Sequence, residues 1–175
     1  YNSSLPSTNV PTAEGYTFGG YYDAPNGNGT KYYNADGTSA RTWNKTSNVN
    51  LYAHWTANIY TITLDSQDAT STGSSAIYEK YADGYYTSSS ATSSYKMSKS
   101  ANPITIPSKT DYTFWGYYTS TNGGGTQYIN SSGYLTSSAS STKFTANGTL
   151  YACFKARSGD WTSYVQEPIL VDKTY

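Results

Sequence analysis

The chain has 175 residues, of which 36 % are hydrophobic and 13 % charged, with 11 basic residues against 11 acidic ones. That length suits one domain or two small ones, and the balanced charge leaves no basic surplus to neutralise phosphates, which argues against nucleic acid as a partner. A single cysteine, Cys153, excludes an intramolecular disulfide framework and a cysteine-based zinc site, and no apolar run approaches the ~18 residues of a membrane span.

Much of the apolar content is tyrosine, with 21 copies, a side chain that buries a ring while offering a hydroxyl to water and so suits thin, half-exposed sheets. In chain order, Tyr16–Tyr22 is the first predicted strand, with Gly20 inside it marking a bulge or a close backbone approach. Asn26–Gly29 supplies turn chemistry, Thr30–Tyr33 is the return strand, and Asp36-Gly37 makes a second turn. The closing strand runs over Leu51–Trp55, with Leu51, Ala53 and Trp55 on one face and Tyr52 and His54 on the other. Ile59–Leu64 alternates strongly, and Ser75–Tyr81 reads as its hairpin partner, ended by Ala82-Asp83-Gly84. A Ser/Thr-rich insert at about 87–100 leads to Pro103–Pro107. Then Tyr112–Tyr118, Asn122–Gly125, Thr126–Ile129 and Leu150–Phe154 rewrite the first strand, turn, return strand and closing strand. No segment carries a convincing helical period.

The duplication is explicit. Gly15–Tyr33 aligns with Asp111–Ile129 without a gap, and 11 of the 19 positions are identical. Asn34–Gly37 continues over Asn130–Gly133, and Leu51-Tyr-Ala-His-Trp55 over Leu150-Tyr-Ala-Cys-Phe154. An internal repeat of this kind is a building block rather than a catalytic motif.

The phrases Gly15–Tyr22 with Leu51–Trp55, and Asp111–Tyr118 with Thr149–Phe154, resemble the Listeria–Bacteroides repeat, the small domain that also forms the B-repeat of Listeria internalins. The chain departs from that pattern where Tyr21 and Tyr117 replace the usual Trp and Asp111 replaces the first Gly. The resemblance implies a mainly β fold of small α+β, β-grasp-like type, and a place in bacterial surface proteins as spacer or adhesion modules. It carries no shared catalytic residues. On this basis residues 1–57 are expected to be an incomplete repeat lacking its opening hairpin, and 58–156 a complete repeat. Residues 157–175 are expected to be a tail able to donate strands.

The expected function is structural and non-enzymatic: an extracellular spacer, an adhesin stalk or a head-to-tail filament subunit, without metal or cofactor. In the filament reading, Trp161, Tyr164, Val165, Ile169, Leu170 and Val171 of the tail complete the truncated repeat of another copy. Two other readings stand beside it: a piece of a longer tandem array, and a tail that folds back on its own chain. The alternative function is a carbohydrate-binding module, because exposed Trp and Tyr stack on sugar rings. Trp43 and Trp115 have no counterpart in the other copy and are the candidate glycan or docking aromatics. The expected partners are therefore other copies or neighbouring repeats, with a surface glycan or protein ligand as the second possibility.

Other chemistry has thin support. His54 and Cys153 occupy the same closing-strand position in different copies, which predicts two outward-facing residues and no catalytic dyad. Asp36, Asp83 and Asp160 sit beside Gly as turn residues, and Asp65 and Asp68 lack the spaced acidic run of a calcium site. Glu14, Glu79 and Glu167 are the convenient acids for a Lys–Asn isopeptide crosslink. Leu5–Asn9 resembles a sortase signal without its apolar segment, and sequons at Asn2, Asn28, Asn44, Asn130 and Asn147 follow from composition.

Overall fold

The computed structural model describes residues 1–157. Its strands are β1 (Tyr16–Tyr22), β2 (Lys31–Tyr33), β3 (Tyr52–Ala57), β4 (Ile59–Asp65), β5 (Ala76–Lys80), β6 (Gly84–Tyr86), β7 (Tyr112–Tyr118), β8 (Gln127–Asn130) and β9 (Gly148–Ala156). Among the described residues the helical pieces are single 3-10 turns at Pro25–Gly27, Ser93–Tyr95 and Thr121–Gly123. The fold is mainly β.

Two sheets form, one in the order β2-β1-β3 and one in the order β6-β5-β4-β9-β7-β8. Neighbours are antiparallel except β4 and β9, which run parallel. A parallel pair needs a long crossover, and the chain between these two strands supplies it without an α-helix. That mixed sheet fits the β-grasp-like arrangement the sequence implies. The stretch expected as an insert is folded onto the sheet: Met97 is buried, and its N–H donates to the Tyr85 carbonyl at 2.8 Å. Ala91 is buried with it, and Lys96 bridges to Tyr86.

The two copies share their strand irregularities. β1 pairs Phe18 with Trp55 and then Gly20 with His54, so Gly19 is an extra residue. β7 pairs Phe114 with Phe154 and then Gly116 with Cys153, so Trp115 is the extra residue. Gly20 and Gly116 have φ of +118° and +136°, and a Cβ there would lie 2.2 Å and 2.3 Å from the carbonyl oxygens of Tyr33 and Ile129. Only glycine meets both demands, the backbone angle and the close approach. A second bulge leaves Tyr32 and Tyr128 unpaired in their return strands and turns both rings inward, at 1 % and 2 % exposure.

The larger sheet holds the main core. Ile62 and Leu64 alternate inward from β4, Ile77 comes from β5, Tyr85 from β6, and Phe114, Tyr117, Tyr128, Ile129 and Leu150 join them with Met97, Ile104 and Ala152. The rings meet edge to face, Tyr85 on Tyr128 at 5.8 Å and Phe114 on Tyr117 at 5.4 Å, a geometry aromatic quadrupoles favour.

Candidate functional site

The units β1-β2-β3 and β7-β8-β9 match strand for strand and differ in what lies beside the closing strand. β9 is flanked by β4, from Ile62 opposite Gly148 to Asp65 opposite Tyr151. The counterpart of that stretch in the first copy is Val49–Tyr52, which leads into β3, and among the described residues β3 is an edge strand of its sheet. Burial follows. Tyr117, Ile129 and Leu150 are fully buried and Ala152 is nearly so, whereas their counterparts Tyr21, Tyr33, Leu51 and Ala53 are all half-buried. Val49 and Tyr52 are exposed. The hairpin of β4 and β5, through Ile62, Leu64 and Ile77, covers the second core, and among the described residues it has no equivalent over the first.

An edge strand presents a row of N–H and C=O groups ready to pair. Here that edge adjoins a half-covered apolar strip. What fits is a strand running parallel to Val49–Tyr52 with apolar residues at alternate positions, as Ile62 and Leu64 are placed in β4. Backbone hydrogen bonds would supply affinity and the alternate side chains would set the register.

The tail residues Trp161, Tyr164, Val165, Ile169, Leu170 and Val171 lie outside the described residues. Trp43, read as lacking a counterpart, has one in space. Its ring lies 5.2 Å from that of Tyr32, and Phe144 lies 6.2 Å from the matching Tyr128. The loops carrying Trp43 and Phe144 differ in length, which hides the match from an alignment. Trp43 is half-buried there, and its backbone bonds to Asn2 and Ser3. Trp115 is 45 % exposed, because the bulge aims it outward, and the Lys155 ammonium sits 3.9 Å over its ring.

Cys153 faces away from the core, as its strand position requires, yet it is buried. Its outward face is as the strand period predicts, and what the period does not predict is the cover over that face. The turn around Gly123 covers the thiol, and the turn around Gly27 covers His54 in the same way. The two residues stand in different sheets, so no dyad forms. Asp36 accepts from the N–H and hydroxyl of Thr38, which holds its carboxyl below the usual carboxylate range. Asp83 pairs with Lys96 and Lys80 and accepts from the Tyr86 hydroxyl, which lowers its pKa to about 2. Asp65 accepts from the Gln67 N–H, and Asp68 faces Lys109 at 3.9 Å. Among the described residues no group of three or more His, Cys, Asp or Glu side chains gathers as metal ligands would.

Glu79 is the exception among the described acids, and its burial was missed by reading it only as a convenient acid for a crosslink. It is fully buried in β5, and burial pushes its carboxyl pKa up. One carboxyl oxygen accepts from the Phe144 N–H at 3.2 Å, and the other has no partner. The neighbouring Tyr85 donates its single proton to the Ser140 carbonyl at 2.6 Å. The signal was present in the sequence, because Glu79 follows Ile77 by two residues in an alternating strand and so shares its inward face.

The geometry defines a class first: a mainly β protein built on a duplicated strand motif. Residues 1–54 match the model of the Listeria-Bacteroides repeat domain, and the chain carries a domain of that family. The chain is also 34 % identical over 124 residues to Internalin H of Listeria monocytogenes serovar 1/2a (strain ATCC BAA-679 / EGD-e). That match takes in 70 % of this chain and 18 % of the relative, so the chain spans about a fifth of that protein's length. No solved structure matches the chain.

Proposed function

We propose that this is a non-catalytic structural repeat protein of the bacterial cell surface, a spacer or stalk element whose first module is completed by a strand from another copy. The carrying observation is the half-buried set Tyr21, Tyr33, Leu51 and Ala53 beside β3, an edge strand among the described residues, against the buried set Tyr117, Ile129, Leu150 and Ala152. The surface setting is supported by the Listeria-Bacteroides repeat match and by the likeness to an internalin. In this reading the tail, with Ile169 and Val171 alternating, donates to Val49–Tyr52 of a neighbour and builds head-to-tail assemblies. Size-exclusion chromatography with light scattering on the full chain and on one ending at Arg157 tests it. The full chain is expected to gain mass with concentration while the shortened chain stays monomeric. A full chain that stays monomeric at high concentration refutes assembly.

A second reading, glycan binding, is favoured by one observation, the exposed Trp115 raised on its bulge. Screening immobilised glycans with the wild-type chain and Trp115→Ala decides it: loss of a specific signal in the variant supports the reading, and silence from both removes it.

A further inference from the structure

The contact between the two sheets is built around Gly15, and its geometry identifies what the surface accepts. A Cβ at Gly15 would lie 2.2 Å from the ring of Tyr81, the residue just after the second hairpin strand of the following module. The ring fills the space a side chain would take. Tyr16 meets it edge to face at 5.5 Å, and the Tyr81 hydroxyl reaches Glu14 at 3.5 Å. Asn58 ties the backbones together: its N–H donates to the Gly15 carbonyl at 2.9 Å, and its own carbonyl accepts from the Tyr81 N–H at 3.0 Å. The Asn58 side chain accepts from the Thr17 hydroxyl at 2.6 Å and donates to the Tyr60 hydroxyl at 3.2 Å.

The second copy supplies a natural control. Asp111 occupies the position of Gly15, with φ of +63° against +75°, and its carbonyl accepts from the Arg157 N–H at 2.9 Å, as that of Gly15 does from Asn58. An aspartate therefore holds this backbone and this hydrogen bond. Glycine at position 15 is not demanded by the left-handed angle, since Asp tolerates it. What glycine supplies is the space above the backbone. Accordingly Gly15 is buried and Asp111 is exposed, and Tyr112, the counterpart of Tyr16, is exposed and meets no tyrosine ring among the described residues.

We propose that the surface formed by Gly15, Tyr16 and Asn58 is a module-docking socket whose partner is the aromatic residue closing the hairpin of the next repeat, and that this contact fixes the two sheets as one rigid unit. By the same geometry the Asp111 side chain closes the second copy to a repeat docked in this way. The inference is independent of strand donation, which concerns the β3 edge.

Gly15→Asp in the full chain is the clean perturbation, because it installs the residue that the second copy already tolerates. Its expected result is a broader distance distribution in small-angle X-ray scattering and the splitting of one cooperative unfolding transition into two. The Asn58 amide is expected to keep its protection from hydrogen exchange. Tyr81→Ala should reproduce the broadening and the split, with far-UV circular dichroism confirming that the second sheet persists, and Tyr81→Phe should leave both readouts as in the wild type. The proposal is overturned if Gly15→Asp keeps the wild-type scattering profile and single transition. It is also overturned if Tyr81→Phe acts like Tyr81→Ala, which would assign the coupling to the hydroxyl rather than to the docked ring.

Discussion

Leu51 and Leu150 occupy the same position of the closing strand in environments that differ by one hairpin, and truncating each to alanine measures what that hairpin contributes. Leu150 is fully buried, in the cluster that contains Ile62, Leu64 and Ile129. Removing its three outer carbons forfeits their transfer free energy and leaves a cavity that close packing prevents from collapsing, a loss of ~2.7–5 kcal/mol. Leu51 is half-buried, so part of its side-chain area is already in contact with water and no sealed cavity forms. Its truncation is expected to cost roughly 1–2 kcal/mol. The gap of about 2 kcal/mol corresponds to roughly a 30-fold difference in protection, measurable by native-state amide exchange of β1 against β7 under dilute conditions. Raising the protein concentration should close the gap, since a strand bound at the β3 edge would bury Leu51 and add its stabilisation by mass action. The reasoning fails if Leu51→Ala costs as much as Leu150→Ala at dilution, because the first core would then be covered within a single chain.

Two carboxylates should give opposite signatures in one pH titration of stability. Glu79 has its folded pKa raised by burial, so its contribution is full below the unfolded value of ~4.3 and is lost as pH rises through the folded one; Glu79→Gln, which stays neutral, should flatten that decline. Asp83 is held at about 2 by Lys96, Tyr86 and Lys80, so its contribution is present above ~3.9 and disappears as pH falls towards 2. The Asp83 side chain is 33 % exposed, which limits its share to no more than about 1 kcal/mol after solvent screening. Asp83→Asn should remove the acid-side loss and leave the alkaline-side slope unchanged, as read from urea midpoints at each pH.

The sequence showed the parts that repeat and the periods that define strands. Eight of the nine strands fall within a residue or two of their predicted positions, because Ile59–Leu64 alternates cleanly and Asn26-Gly27 and Asn122-Gly123 mark their turns. Gly20 and Gly116 were legible as bulges because a glycine inside an aromatic strand has few other reasons to be there. Less visible was anything fixed by residues far apart in sequence. β6 is three residues long and follows a turn too tight to announce a new strand. The pairing of Trp43 with Tyr32 crosses a loop whose length differs between copies. Burial of Cys153 depends on a turn folding over it, and a period of two gives the face of a residue without saying what covers that face.

The distribution of change between the copies separates scaffold from connection. Positions that build the three-strand unit are held or exchanged within one chemistry: Phe18 with Phe114, Gly20 with Gly116, Tyr32 with Tyr128, Trp55 with Phe154. They fix registers and both bulges, and β1-β2-β3 keeps its strand pairing with no covering hairpin among the described residues. Three positions that change chemistry lie where the unit meets its surroundings: Gly15 against Asp111, Gly19 against Trp115, and Thr56 against Lys155. Gly15 makes room for the ring of Tyr81, whereas Asp111 stands exposed and Trp115 and Lys155 cover each other on an open face. A core substitution must satisfy many contacts at once, but a junction substitution alters only what can dock there. Divergence at these few positions therefore changes how modules connect while the strand unit itself stays the same.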